Sequence, residues 1–395
     1  MTASKRWMLR HVLGPALLAA VAACGGGDGG NGPRPGSTFQ VQAGGDNVTE
    51  RFSSDLWVHG AWAYTGTWGG VPRTGASGDV VKIWSLDAAG APTLVDSLKV
   101  PQIGTVSDIQ VSDDGALLVF SAERGTNAGL YVYDLTDPRA PTFLDSALVT
   151  TGLHTATVAD IDGHRYVFAA RNPENPALII YDISMPSDIS VTATVPIPPA
   201  YGIHDTFVRD GLAFVFAWNT GVIIYDVGNG IAGGSPAQPK EVSRLLTSAN
   251  GVPGGSQAVH NGWWFHNPVQ NEKRYLFIGQ EGPSVLGSES TGDLHVVDVA
   301  DLTDPKEVAF FHLQGAGTHN FWMDEDHQIL YMAYYNGGVV ALDVSGELAG
   351  DLSDRLIAQI QPGGAGDTYT WGVQLAGGSL YAIDMLSGLW QLKVP

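Results

Sequence analysis

Four of the eleven histidines recur at one position of a repeated pattern. His204 opens a short apolar run that ends at Asp210-Gly211, and Asp-Gly between two apolar runs predicts a β-hairpin. Counting back from the hairpin glycine to the start of the first strand gives the equivalent residues in five consecutive copies: Asp108, His154, His204, His260 and His319. Neutral imidazole is the commonest metal ligand. These residues are therefore candidate ligands of a transition metal, Cu or Zn.

The histidines are positioned by a unit of about 50 residues that the chain repeats seven times. Its clearest part is a third strand ending in Asp, at residues 130–134, 178–182, 222–226, 294–298 and 339–343. Weaker copies occupy residues 81–85 and 389–392. Glycine and proline together account for 73 of the 395 residues, which is more helix-breaking residues than a helical protein carries. Because the short apolar runs are rich in Val, Ile and aromatic residues, the chain is predicted to be all-β.

Four short strands in each unit predict one blade, and seven units predict a closed ring of blades. The seventh copy ends at Pro395 with only three strands, and residues 39–43 can supply the fourth. Closing the ring with both chain ends removes an exposed sheet edge. We therefore predict a seven-bladed β-propeller of four-stranded blades, spanning residues 38–395 and closed by the N-terminal strand.

This topology places a set of side chains on one face of the propeller, around the mouth of its channel. The set comprises the histidines, the residues at the ends of the second strands, and Trp371, which takes the histidine position in the seventh blade. The second strands end at Glu123, Arg171, Asn219, Glu281, Tyr335 and Asp384. Side chains at a channel mouth on a rigid scaffold predict a binding face.

Two interpretations of the histidines remain open. Each can bond the backbone of the neighbouring blade and recur only because the blade recurs. Alternatively, several converge on one metal ion, with the residues that follow them orienting the imidazoles. Those following residues are Thr155, Asp205, Asn261 and Asn320.

The strands Leu178-Ile-Ile-Tyr-Asp182 and Leu294-His-Val-Val-Asp298 resemble the LVIVD repeat of bacterial and archaeal cell-surface propellers. The resemblance extends over residues 50–395, and it implies a propeller fold and an envelope location without implying a reaction. Histidine placement is also similar to that of the His-lined copper sites on propellers of the methanethiol oxidase (selenium-binding protein) family. No sequence motif is shared with that family, so its reaction is not carried over.

The N-terminus is typical of an exported lipoprotein. Lys5, Arg6 and Arg10 precede an apolar stretch at residues 12–23, which is too short to span a bilayer permanently. The stretch ends in Val-Ala-Ala before Cys24, the only cysteine, and so resembles a bacterial lipobox. We predict a signal peptide at residues 1–23, lipidation of Cys24, and a Gly-rich tether at residues 24–37. A simple secretory signal with an incidental cysteine is the alternative.

Composition limits the partners. The net charge is −20, and removing the signal leaves 17 basic against 40 acidic residues, a charge of −23. Such a surface repels phosphate backbones, which argues against nucleic acid. The predicted function is a monomeric, lipid-anchored module of the bacterial cell envelope, periplasmic or cell-surface, that binds a protein or small molecule at the histidine face. A metal-dependent enzyme, such as an oxidoreductase, and a purely architectural envelope protein remain alternatives.

Overall fold

A computed structural model describes residues 38–70, 72–172, 175–197, 202–249 and 257–395. The predicted signal peptide, Cys24 and the tether lie outside these residues. The first strand, β1, covers Gln40–Gly44. The first two blades consist of β2 (Phe52–His59), β3 (Trp62–Trp68), β4 (Val80–Leu86), β5 (Pro92–Lys99), β6 (Thr105–Val111), β7 (Leu117–Glu123), β8 (Gly129–Asp134) and β9 (Thr142–Leu148).

The next three blades continue in the same order. They consist of β10 (Thr155–Ile161), β11 (His164–Arg171), β12 (Ala177–Asp182), β13 (Ser190–Pro196), β14 (Asp205–Arg209), β15 (Leu212–Phe216), β16 (Val222–Asp226), β17 (Lys240–Leu245), β18 (Val259–Asn267), β19 (Glu272–Gln280), β20 (Leu294–Asp298) and β21 (Lys306–Phe311).

The remaining elements are β22 (Phe321–Asp324), β23 (Ile329–Ala333), β24 (Val339–Asp343), β25 (Gly350–Asp351), a 3-10 helix (Ser353–Arg355), β26 (Leu356–Ile360), β27 (Thr370–Ala376), β28 (Ser379–Asp384) and β29 (Gly388–Lys393). The two-residue β25 pairs in parallel with β21 and adds a fifth strand to the fifth blade. Among the described residues, no helix is long and apolar enough to cross a membrane.

The four main strands of each blade form an antiparallel sheet, and in the first six blades they lie in sequence order, which confirms the predicted all-β propeller of seven four-stranded blades. The seventh sheet has the order β1-β29-β28-β27, so the N-terminal strand closes the ring as predicted. Gln40 pairs with Lys393, and Val41 pairs with Leu392. Asn47 clamps the corner, because its side chain donates to the Leu389 carbonyl (2.9 Å) and accepts from the Leu389 N–H (3.0 Å).

Burial of apolar side chains between neighbouring blades holds the ring together. Among the described residues, the buried apolar side chains form seven clusters, and each cluster lies between two adjacent blades. Between the fifth and sixth blades, for example, Phe265 and Phe277 pack with Leu330 and Met332. Each blade contributes apolar side chains to the interfaces with both of its neighbours. Burying this apolar area favours the assembled ring over separate blades.

The aspartates that end the third strands cap the following turns. The carboxylate of Asp134 accepts the Thr136 N–H at 2.8 Å, and Asp343 accepts the Ser345 N–H at 2.8 Å. A short carboxylate that bonds the backbone two residues further on stabilises a turn locally. These residues recur for a structural reason.

Candidate metal centre

The four histidines occupy equivalent places at the beginning of inner strands. The backbone N–H groups of His154, His204 and His319 each donate, at 2.8 Å, to the last paired residue of the second strand in the same blade. His260 lies at the start of β18, next to a β-bulge between Val259 and Asn261. The repeated backbone register therefore directs four imidazoles toward the axis of the propeller at one level.

The imidazoles form one continuous buried arc. Their ring centroids are separated by 4.1 Å between His154 and His204, by 3.6 Å between His204 and His260, and by 4.2 Å between His260 and His319. Nε2 of His154 lies 2.8 Å from Nε2 of His204. The four consecutive blades thus bring their histidines into mutual contact, although they span more than half of the ring.

Two glutamates from the ends of second strands meet this arc. Glu123, at the end of β7, pairs with Nδ1 of His154 at 2.8 Å. Glu281, directly after β19, places Oε2 3.9 Å from Nε2 of His204 and 3.7 Å from Nε2 of His260. The hydroxyl of Tyr335 donates to the other oxygen of Glu281 and fixes the orientation of the carboxylate.

Burial governs the protonation of the cluster. Loss of solvation lowers the pKa of His204, His260 and His319, and the neighbouring histidines lower it further; the pKa of His260 falls to about 3. His154 differs, because burial opposes its charge but the carboxylates of Glu123, Glu281 and Asp108 together outweigh burial and raise its pKa. Burial also raises the pKa of Glu281. Neutral imidazoles keep the lone pair that a metal ion requires.

Hydrogen bonding distinguishes the two interpretations of the histidines. Only His319 follows the backbone-bonding pattern, since its Nδ1 donates to the carbonyl of Trp371 in the next blade at 2.5 Å. Nδ1 of His204 and Nε2 of His260 are buried without a hydrogen-bond partner. A buried polar atom without a partner is costly, so a structural role leaves these two nitrogens unexplained.

The rest of the predicted face divides into contacting and peripheral residues. Trp371 and Tyr335 pack on His319, with ring centroids 4.3 and 4.8 Å away. Asn219 follows Trp218, whose indole lies 5.0 Å from the ring of His204. Asp384 is buried and accepts backbone N–H groups of its own blade, and half-buried Arg171 donates to the carbonyl of Asn175. Neither of these last two faces the imidazoles.

Asp108 lies one residue further along its strand than the sequence count placed it. It pairs with Ser121, at the register where Asp205 pairs with Phe216. The hairpin causes the difference: the Ser112 N–H donates to the Leu117 carbonyl around a four-residue turn, whereas Arg209 pairs with Leu212 across a two-residue turn, so a count from the hairpin glycine is displaced by one residue. Asp108 therefore belongs to the layer below the histidines.

The residues that follow the histidines only partly orient the rings. Asn261 contacts Nδ1 of His260 through its side-chain oxygen at 3.2 Å. Thr155 instead donates to the backbone carbonyl of His204 at 2.8 Å, and Asn320 donates to the carboxylate of Asp55 at 3.0 Å. The glutamates and Tyr335 therefore do more to fix the cluster, and their contacts depend on side-chain reach that a repeat pattern does not encode.

His204, His260 and Glu281 form a donor set suited to a divalent transition metal. Each offers one ligand atom, and the three atoms lie within 4.8 Å of one another. A tetrahedral ion with bonds of about 2.1 Å holds its ligand atoms about 3.4 Å apart, which small side-chain shifts would achieve here. Two imidazole nitrogens and one carboxylate oxygen leave a coordination position for a further ligand.

Comparison with known proteins supports the fold. Sqt1 from Chaetomium thermophilum is similar with a TM-score of 0.58 and 12% sequence identity, over 90% of this chain and 91% of that chain. The β-propeller domain of Cps50 (Swd1) from Myceliophteria thermophila is similar with a TM-score of 0.61 and 11% identity, over 90% and 98% of the two chains. No family model and no curated protein matches the chain. The described chain is thus a seven-bladed β-propeller.

Proposed function

We propose that this protein is a metal-binding propeller whose ion lies at the histidine end of the channel, bound by His204, His260 and Glu281. The observation that carries the proposal is the convergence of three ligand atoms within 4.8 Å, at a point where Nε2 of His260 is buried without a hydrogen-bond partner. A bound cation would satisfy that nitrogen and would compensate the buried Glu281 carboxylate.

The neighbouring groups have separate roles in this proposal. Tyr335 holds the Glu281 carboxylate by donating to it. His319 is held by the carbonyl of Trp371 and forms one wall of the site. His154 lies beside His204, and its two ring nitrogens bond Glu123 and His204, so it would hold the His204 ring in place. Outer groups that fix ligand orientation contribute strongly to metal affinity.

The metal would serve the binding function that the sequence predicts for this face. A propeller fold is compatible with an interaction module, and Trp371 and Tyr335 provide aromatic surface next to the ion. A coordination position left by the three protein ligands would receive a donor atom of the bound protein or small molecule. If the ion also polarises that molecule, the same geometry supports the metal-dependent enzyme that the sequence left as an alternative.

Metal analysis and thermal melting of the purified, untagged full chain test the metal site. We expect bound metal at about one ion per chain and a melting temperature that rises with added Zn²⁺ or Cu²⁺. An ion that binds only the folded state stabilises it by about 2.7 kcal/mol at a free concentration 100 times its Kd. His260→Ala should remove this shift. His164→Ala is the matched control, because His164 is exposed at a distant hairpin.

The opposite pattern would refute the site. If the wild-type melting temperature does not respond to either metal, while His260→Ala lowers it, the histidines are structural. Equal metal responses of the His260 and His164 variants would also contradict the proposed ligand set.

We also propose that the protein is exported and anchored in the bacterial cell envelope through a lipid on Cys24. This proposal rests on the sequence alone: the basic start, the short apolar stretch and the single cysteine after small residues. It would place the propeller on a tether at a membrane surface.

A further inference from the structure

A cavity that none of the four clustered histidines lines occupies the central channel. It has a volume of about 750 Å³ and is lined by the inner strands of all seven blades. Its lining begins one residue beyond the histidine level and reaches the hairpin turns on the opposite face. Cavities of this size are typical of small-molecule sites.

Three aspartates and two asparagines form the floor of this cavity. They lie at one register in five blades: Asp55, Asp108, Asp205, Asn261 and Asn320. The oxygens of Asp108 accept the N–H groups of Ile109 (2.9 Å) and Ala156 (2.7 Å). Burial and the neighbouring carboxylate of Asp108 raise the pKa of Asp55, and they raise the pKa of Asp205 to about 8, so a cation bound here would favour release of their protons.

Four aromatic side chains form a continuous wall two residues above the floor. Ring centroids are 5.2 Å apart for Phe207 and Trp263, 5.3 Å for Trp263 and Trp322, and 6.0 Å for Trp322 and Trp57. The planes of these neighbouring rings are tilted by 46°, 58° and 74°. The rings are half-buried, and because they are tilted against one another they surround part of the channel and do not form a single flat surface.

The charge of the cavity is one-sided. Its lining includes nine acidic residues, and Arg209 is the only basic residue among the described ones that line it. Arg209 is already neutralised, because both of its terminal nitrogens bind Glu325, at 2.5 and 3.1 Å. At the rim, Asp160 pairs with Arg165. Among the described residues that line this aromatic-walled cavity, the floor carboxylates thus have no basic partner.

We propose that this channel binds a small organic cation, a quaternary ammonium or protonated amine. Its charged end would lie over Asp55, Asp108 and Asp205, and its apolar part would pack against Trp57, Trp263 and Trp322. Ring faces attract cations, and a carboxylate floor adds Coulomb attraction in a partly desolvated cavity. The negative floor disfavours anions, and a neutral molecule such as a sugar would leave the carboxylates uncompensated. The aromatic wall offers no oxygen ligands to a hard metal ion.

Calorimetric titration of the full chain with choline and with its neutral isostere 3,3-dimethyl-1-butanol tests the proposal. We expect choline to bind and to quench tryptophan fluorescence, with an affinity at least tenfold above that of the isostere. Asp108→Asn and Trp322→Ala should each weaken choline binding about tenfold. Asp113→Asn removes the same charge at the exposed rim and should change the affinity less than twofold.

Several results would overturn the organic-cation site. These are equal binding of choline and the isostere, no choline binding at millimolar concentrations, and equal affinities of the Asp108 and Asp113 variants. Saturation by Ca²⁺ without competition from choline would identify an inorganic cation instead. If Asp108→Asn does not fold, Asp55→Asn replaces it, and the comparison of choline with its isostere needs no variant.

Discussion

At the residue scale, Asp226 shows how a repeated capping aspartate can acquire a larger local role. Its carboxylate accepts four backbone N–H groups, from Gly228 (3.0 Å), Gly230 (3.1 Å), Ala232 (2.7 Å) and Gly234 (3.1 Å). These bonds organise the loop after β16, and they lower the pKa of Asp226 although burial opposes the lowering. Hydrogen bonds to an ionised group are stronger than those between two neutral groups.

Replacing Asp226 by alanine should therefore destabilise the propeller by about 3 kcal/mol at pH 7. Asp343→Ala, which removes a cap with one bond, should cost about 1 kcal/mol. Urea denaturation of the three proteins measures the difference. Equal losses for the two variants would show that the additional bonds of Asp226 contribute no stability.

Ionisation of the Asp226 carboxylate should make the stability of the propeller depend on pH. Its pKa is lower in the folded state than its unfolded value of about 3.9, so its contribution is complete above that value and falls at lower pH. The stability difference between the wild type and Asp226→Ala should narrow by about 1 kcal/mol between pH 7 and pH 3. A difference that stays constant over this range would contradict the role of the ionised form.

The sequence predicted the histidine positions because the hairpin and the third strand recur around them. It did not predict which groups they contact. The pairing of Glu123 with His154 and the approach of Glu281 to His260 depend on rotamers and on the distance between blades. The aspartate floor escaped notice for a related reason, since the longer hairpin of the second blade displaces the count to Asp108 by one residue.

At the element scale, β1 completes the seventh blade and protects the edge of β29. The missing fourth strand of the seventh copy was sufficient to predict this pairing. The structure adds the anchoring contacts. Phe39 is buried between the sixth and seventh blades, and Asn47 bonds both polar backbone groups of Leu389. The bounds of the strand differ by one residue from the predicted ones, as is usual at strand ends.

Deleting residues 38–47 should lower stability by at least about 3 kcal/mol, the usual cost of losing one buried phenylalanine. It should also promote aggregation, because the polar backbone groups of β29 lose their partners along an apolar strand. Thermal melting with light scattering measures both effects. Deletion of residues 25–36 is the control, since it retains β1. Identical melting and scattering of the two deletions would refute a closing role for β1.

At the scale of the whole molecule, the ring places two different chemistries at two levels of one axis. The four histidines with Glu281 form one level, and the floor carboxylates with their aromatic wall form the other. Successive side chains of an inner strand point to opposite faces of the sheet, so residues two apart line the same channel. The sequence shows this alternation within single strands. The histidine level and the carboxylate level become visible only when the inner strands of all seven blades are aligned.

The proposed lipid attachment belongs to the same scale, because it would fix where the propeller works. In cells that process lipoproteins, the wild-type chain should fractionate with membranes and remain there in high salt, since acyl chains bind by hydrophobic burial. Cys24→Ala should yield a protein with the same melting temperature that is released from membranes. Substituting Ser37, at the end of the predicted tether, by alanine is the control and should leave the protein on membranes. A Cys24→Ala protein that still sediments with membranes in high salt would refute the lipid anchor, because no acyl chain could then be responsible.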